Sequence, residues 1–210
     1  FRQLLFDIHD NLRLIRMTID YTLNGPRLSS GQLLTGGILA VSPQSTAPKE
    51  SLMDFMQDLG PRVLGNGYPL IPLVTGETRP ALGNWRNINA TEELVKSWRG
   101  GIGIRTGYVI FIDVDILNPV ADRVLQWCID TIGPAPIRYG RKPKLGLMYR
   151  SEVLLPTRIS KGYKDGADNR AAIEALGDGR QFVAYNIHPD TGKPYTWVDG
   201  FGPNNIRVED

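Results

Sequence analysis

Three carboxylates on apolar, strand-like segments are the residues of this chain best placed to do chemistry. In Val109-Ile110-Phe111-Ile112-Asp113-Val114-Asp115-Ile116 the two aspartates are separated by one residue. Side chains of a strand alternate between its faces, so Asp113 and Asp115 share one face, about 7 Å apart along the strand. Ile112, Val114 and Ile116 take the other face, toward a core. Two carboxylates on an apolar strand repel each other and are costly to desolvate unless a cation lies between them. Hard oxygen ligands of this kind suit Mg²⁺ or Mn²⁺. A pair of such ions can bind a triphosphate and activate a 3′-hydroxyl for in-line displacement. Nucleotide-sugar transferases also place D-x-D after an apolar strand, and two solvated aspartates at a strand end are the plain structural reading. The spacing leaves all three open. Glu174, in Ala171-Ala172-Ile173-Glu174-Ala175-Leu176, is a third carboxylate on such a run. On a neighbouring strand it would complete a two-metal site; otherwise it is an edge-strand glutamate.

Cationic residues cluster between these acids. From Arg138 to Arg170 there are nine basic and three acidic residues, a local +6 in a chain whose total is +2. The near-neutral total excludes a uniformly basic nucleic-acid binder, whereas the local excess suits triphosphate and nucleic-acid backbone. Solvated lysines and arginines on loops are the alternative. Gly100-Gly101-Ile102-Gly103-Ile104-Arg105-Thr106-Gly107 lacks the spacing of a Walker loop or a dinucleotide fingerprint and reads as a strand with tight turns. Arg105 is a candidate backbone contact there. His188, in a turn sequence close to the Glu174 segment, is open to a nucleotide contact. One cysteine and two histidines offer no zinc spacing. A lone Cys128 on a helix reads as core and excludes an internal disulfide, which points to a reducing compartment such as the cytoplasm. No apolar run approaches the 18 or so residues of a membrane span, and no G-x-S-x-G elbow occurs.

The elements that must position these groups follow from periodicity and turn residues. Leu4, Leu5, Ile8, Leu12, Ile15 and Ile19 recur at helical spacing, and residues 24–50 are rich in Gly, Ser, Pro and Thr. Residues 1–50 are therefore expected to be a helical extension and linker, and 51–210 the main domain. The start at Phe1 is expected of a fragment or processed form, and the end at Asp210 of a piece cut from a longer chain. Within the domain, Ser51 is expected to cap a helix over Leu52 to Leu64, and Thr91 one over Glu92 to Trp98. Pro119 to Ile132 reads as an amphipathic helix. Strands are expected at Tyr68–Val74 (an edge, given its prolines), Ile102–Arg105, Tyr108–Ile116, Ile137–Arg138, Leu145–Arg150, Ala172–Leu176, Gln181–Asn186 and Tyr195–Val198. The 23 glycines and 15 prolines fit many turns and short strands. This mixture of helices and antiparallel hairpins favours an α+β fold.

From about residue 52 to 200 the order of segments resembles the primase-polymerase domain of phage and plasmid replication proteins, in the archaeo-eukaryotic primase superfamily. The resemblance rests on Gly67-Tyr68-Pro69-Leu70-Ile71-Pro72-Leu73, Arg79-Pro80, Trp85, Thr91 to Trp98, Gly103 to Gly107, and Ile112-Asp113-Val114-Asp115. It continues through Pro136 to Arg150, Ile173 to Gln181, His188-Pro189-Asp190-Thr191-Gly192 and Tyr195-Thr196-Trp197. It implies an RRM-like catalytic sheet of mixed or antiparallel strands with an N-terminal α/β subdomain. By that likeness Asp113, Asp115 and Glu174 would hold two Mg²⁺ or Mn²⁺ ions for template-directed nucleotidyl transfer. The partners would be dNTP or NTP and a single-stranded or primed DNA template in a bacterial host, with a helicase following or separate. The family's middle motif usually supplies a histidine to the incoming phosphates, and Arg141-Lys142-Pro143-Lys144-Leu145-Gly146 has none. Lys144, then Arg138 and Lys142, are expected to neutralise the triphosphate instead, with Arg105, Gln181 and His188 as further nucleotide contacts. The missing histidine also motivates a second reading, a catalytically weak replication module of the same fold that binds DNA.

Overall fold

The computed structural model describes residues 54–160, 162–164 and 170–209, so the expected extension and linker over 1–50 lie outside the described residues. Helix α1 (Phe55–Gly65) leads to strand β1 (Leu70–Leu73), helix α2 (Glu92–Ser97), and strands β2 (Gly101–Arg105) and β3 (Val109–Asp115). Helix α3 (Val120–Ile132) follows. Then come β4 (Ile137–Tyr139), β5 (Leu145–Arg150), β6 (Arg158–Ile159), β7 (Tyr163–Lys164), β8 (Arg170–Leu176), β9 (Gln181–Tyr185) and β10 (Thr196–Trp197). The strands form a three-stranded sheet in the order β1-β2-β9 and a seven-stranded sheet in the order β10-β4-β5-β3-β8-β6, with β7 also pairing β8. Every pairing among the described strands is antiparallel. The fold is α+β, as the residue pattern leads one to expect.

Strand β3 is apolar on both faces because both faces are covered. Ile112 and Val114 pack against Ala121, Val124 and Cys128 of α3, residues that recur at i, i+3 and i+7 and so line one stripe of that helix. Val109 and Phe111, on the opposite face, pack with Ile102, Ile104 and Phe182 of the small sheet and with Phe55, Met56 and Val63 of α1. The large sheet is thus sandwiched between one helix and a second layer of sheet plus helix. Asp113 and Asp115 lie where the second layer ends, so they are half-buried while their neighbours are fully buried.

Local chemistry explains the element ends. Thr91 caps α2 as expected, its hydroxyl oxygen accepting from the Leu94 N–H at 3.3 Å. The cap of α1 is Asp54, and Ser51 lies outside the described residues. The Asp54 carboxylate accepts from Gln57 N–H at 3.3 Å and from Gly100 N–H at 3.1 Å, so one side chain satisfies the helix and ties it to the start of β2. β1 is the edge strand its prolines suggest. β2 and β3, joined by the Gly107 turn, do not pair with each other: the chain changes sheets there. The two-residue strands β6 and β7 are too short to show alternation, which is why the residue pattern does not announce them. Asn186 joins β9 to the loop after β1. It donates to Val74 O at 2.9 Å and Glu77 O at 2.8 Å, and accepts from Gly76 and Ile187 N–H at 3.1 and 2.9 Å.

Cys128 is fully buried, and burial pushes its thiol up to about 12. Thiolate is the reacting form, so the native protein at pH 8 is expected to resist iodoacetamide while the urea-unfolded chain is alkylated. Rapid labelling of the native state would contradict the packing of α3 on β3.

Candidate functional site

The sheet register decides which polar groups meet. Asp113 stands directly opposite Glu174 on β8 and, on its other side, opposite Gly146 of β5. Gly146 in turn stands opposite Arg138 of β4. Opposed residues of antiparallel strands share a face, with Cβ atoms about 5 Å apart. Glu174, Asp113, Gly146 and Arg138 therefore form one row across four strands, on the face away from α3. Glu174, Asp113 and Arg138 of this row, with the Phe111 ring between them over Gly146, floor a cleft of about 440 Å³ between the two sheets, walled by Thr78, Trp85, Arg86, Arg180, Gln181 and Tyr195.

Gly146 is the gap that lets the row assemble. A Cβ there would overlap the Phe111 ring, which instead lies across β5. Phe111 stacks on Phe182 with ring centroids 4.1 Å apart and planes 7° from parallel. The Arg138 guanidinium sits 4.5 Å from the Phe111 centroid and 4.7 Å from that of Tyr195. Arg138 is only 7% exposed; its Nη1 donates to Val183 O, and its Nε is buried with no hydrogen-bond partner among the described residues. Burial lowers its pKa, and the Asp113 carboxylate followed by Tyr195 opposes that. A buried guanidinium with a spare donor on the wall of a cleft is suited to an anion.

Burial dominates Asp113 as well and pushes its carboxyl up to about 6. Arg138 opposes the shift, Asp115 and Glu174 add to it, and Lys144 opposes it weakly. Two opposed carboxylates in such a place favour either a shared proton or a divalent cation. Their oxygen donors fit Mg²⁺ or Mn²⁺ in chemistry. Asp115 is on the same strand face but stands opposite Ala172, and its Oδ1 is ion-paired with Lys144 Nζ. Among the described residues no three His, Cys, Asp or Glu side chains are gathered closely enough to hold a metal as they stand. The pair Asp113 and Glu174 is the part of the expected triad that the register brings together, and Lys144 occupies Asp115.

The other expected contacts divide. Arg138 and Gln181 line the cleft; Gln181 Nε2 donates to Thr78 O at 2.9 Å, and its Oε1 is buried without a partner among the described residues. Lys142 lies 4.7 Å from the Tyr139 ring centroid at the β4–β5 turn. His188 packs on Tyr195 with centroids 5.1 Å apart, and its Nδ1 accepts from the Asp190 N–H at 3.1 Å. Burial lowers the His188 pKa, Asp190 opposes this, and Arg141, Arg138 and Lys144 reinforce it. The neutral imidazole is thereby favoured, beside Arg141, Arg138 and Lys144. Arg105 does not reach the carboxylates: it pairs across from Gln181 in the small sheet, donates to Arg86 O, and lines a neighbouring cavity. Among the described residues of the 138–170 stretch, Arg141 pairs with Asp190 at 3.2 Å and Arg150 lines the neighbouring cavity, so the basic side chains do not all line the carboxylate cleft.

Arg86 and Arg180 are cleft residues that single segments do not reveal. Each follows a visible signal, Trp85 in one case and the Gly177-Asp178-Gly179 turn in the other, but only the juxtaposition of β8, β9 and the loop before α2 brings them together. A family model described as "Bifunctional DNA primase/polymerase, N-terminal" matches residues 61–207. No curated protein matches the chain.

Proposed function

The chain belongs to the bifunctional DNA primase/polymerase N-terminal family, and from that premise we propose that residues 51–210 are a DNA primase/polymerase catalytic domain. It acts by two-metal nucleotidyl transfer in the replication of a phage or plasmid, in the cytoplasm of a bacterial host. The observation that carries this reading is that the row through Gly146 brings Glu174, Asp113 and Arg138 together on the floor of a cleft. It places two oxygen donors for a cation beside a buried guanidinium for an anion. A nucleoside triphosphate with its divalent ion is a ligand of that composition.

Asp113 and Glu174 would hold Mg²⁺ or Mn²⁺, with Asp115 supplying a further oxygen from the same face of β3. When bound, the ions supply Lewis acidity toward a primer 3′-hydroxyl and charge neutralisation on the triphosphate. Arg138 stabilises charge that develops on the transferring phosphate, and its aromatic sandwich preorganises it for that task. Lys144, Lys142 and His188 line the approach on the β4–β5 and β9–β10 turns, and Gln181 orients a donor group of the nucleotide. Arg105 belongs to the neighbouring cavity. A helicase, in the same chain or separate, would expose the single-stranded template. The domain is expected to incorporate labelled nucleotide on a primed template in Mg²⁺ or Mn²⁺ and to stop on chelation. Absence of incorporation with both dNTPs and NTPs, in both metals, would overturn the reading.

The Lys144–Asp115 ion pair favours one second reading, a catalytically weak DNA-binding module in which a lysine keeps the third carboxylate from metal. In that case Lys144→Ala raises metal-dependent incorporation instead of lowering it. The family match gives no support to sugar transfer.

A further inference from the structure

A second cavity, of about 430 Å³, adjoins the carboxylate cleft and shares Trp85, Arg86 and Arg180 with it. Its other cations are Arg105 and Arg150, and Asp178 is its one acid among the described residues. The Arg86 guanidinium stacks 4.4 Å from the Trp85 ring centroid, and Arg105 Nε is buried with no hydrogen-bond partner among the described residues. At its outer rim Tyr108 is 57% exposed and Leu154 is 53% exposed. Large exposed apolar groups beside four guanidinium groups fit a ligand that alternates flat apolar rings with negative charge.

Strand β3 measures the distance between the two cavities. Val109, its first residue, lines the second cavity, and Asp113 lines the cleft. Four residues along a strand span about 13 Å. That is on the order of four stacked nucleotides at roughly 3.4 Å each. A strand passing over Arg86 and Arg180, which line both cavities, would reach from one to the other. We propose that this second cavity is a binding site for single-stranded nucleic acid outside the catalytic cleft, with a base stacked on Tyr108 and flanking phosphates on Arg105, Arg150 and Arg180. The site deepens the primase/polymerase reading, on which the identity of the strand as template rests. It needs neither metal nor triphosphate.

The test is fluorescence anisotropy with labelled oligo-dT in EDTA, using the whole chain. Tyr108→Ala is expected to weaken binding at least about 5-fold, the low end of what one base–aromatic stack contributes. Arg150→Ala is expected to lower the slope of log K against log salt by about 0.7, the value for one phosphate of a single strand. Both residues sit at the surface, and unchanged thermal melts confirm that the variants fold. Unchanged affinity and salt slope in both variants, or displacement of the oligonucleotide by equimolar inorganic triphosphate, would overturn the site. Loss of binding in Tyr108→Ala by a chain that incorporates no nucleotide would uphold the site while the catalytic reading falls. Incorporation by the wild-type chain with oligonucleotide binding unmoved in both variants would do the reverse.

Discussion

Asp113→Asn is expected to abolish nucleotide incorporation and, in the metal-free protein at neutral pH, to raise stability. The activity side follows from the register. Asp113 is the one carboxylate that stands opposite Glu174 and shares its row with Arg138, so an amide there loses an anionic donor where it is most needed. A loss of about 10³-fold is expected, the upper end of what removing a preorganised charge-stabilising group costs in other enzymes. The stability side follows from the raised carboxyl pKa, from 3.8 to about 6. The folded state holds this proton more tightly than the unfolded chain does. Protonation therefore stabilises the fold fully below about pH 4, and that contribution is lost as pH rises through about 6. At about 1.4 kcal/mol per unit, wild-type protein is on the order of 3 kcal/mol less stable above that range than it would be with a neutral group. Asparagine mimics the neutral acid in size and charge. Chemical denaturation in EDTA is expected to show the variant more stable at pH 8 and no gain at pH 4. Mg²⁺ is expected to stabilise the wild type and not the variant. A variant that retains full incorporation, or is less stable than wild type at pH 8, would contradict the assignment of Asp113.

Gly146→Ala is expected to cost about 3 kcal/mol, the upper end of the overpacking range, and most of the activity. The added methyl overlaps Cζ and Cε1 of Phe111 and comes within 3.0 Å of Cε2. The ring has no room to retreat. It is fully buried, stacked on Phe182 on one side and covered by the Arg138 guanidinium. Accommodation therefore shifts the ring and Arg138 together, out of line with Asp113. Phe111→Leu in the Gly146→Ala background is expected to recover part of the stability, because a branched aliphatic group vacates the space over β5. A penalty below about 0.5 kcal/mol for Gly146→Ala, or no rescue by the second change, would show that the ring does not hold Arg138 in place.

Much of this arrangement is legible in the order of the residues. β-Branched and aromatic residues from Val109 to Ile116 declare a strand buried in a core, and the alternation places Asp113 and Asp115 on one side of it. The stripe of Ala121, Val124 and Cys128 declares α3 and the face it covers, and Thr91 declares a helix start. Arg138 stands out by its charge and position, but nothing in Ile137-Arg138-Tyr139 indicates a guanidinium buried between two rings. That depends on Gly146, which reads in sequence as an ordinary turn or strand glycine. The surroundings of Asp113 and Asp115 differ for a related reason: Asp113 stands opposite Glu174, whereas Asp115 stands opposite Ala172 and is the one ion-paired with Lys144.

Family membership, the identities of the main strands and helices, and the face on which each carboxylate lies are all written in local sequence, because periodicity and capping are properties of a few neighbouring residues. Which groups meet is a matter of tertiary pairing. Joining β3 to β5 and β8 brings together segments tens of residues apart, and shifting either by one residue would turn Glu174 or Gly146 to the opposite face. That register makes a row of Asp113, Glu174 and Arg138. The change of sheets at Gly107 moves Arg105 away from the row and sets it, with Arg86, Arg150 and Arg180, around a second cavity.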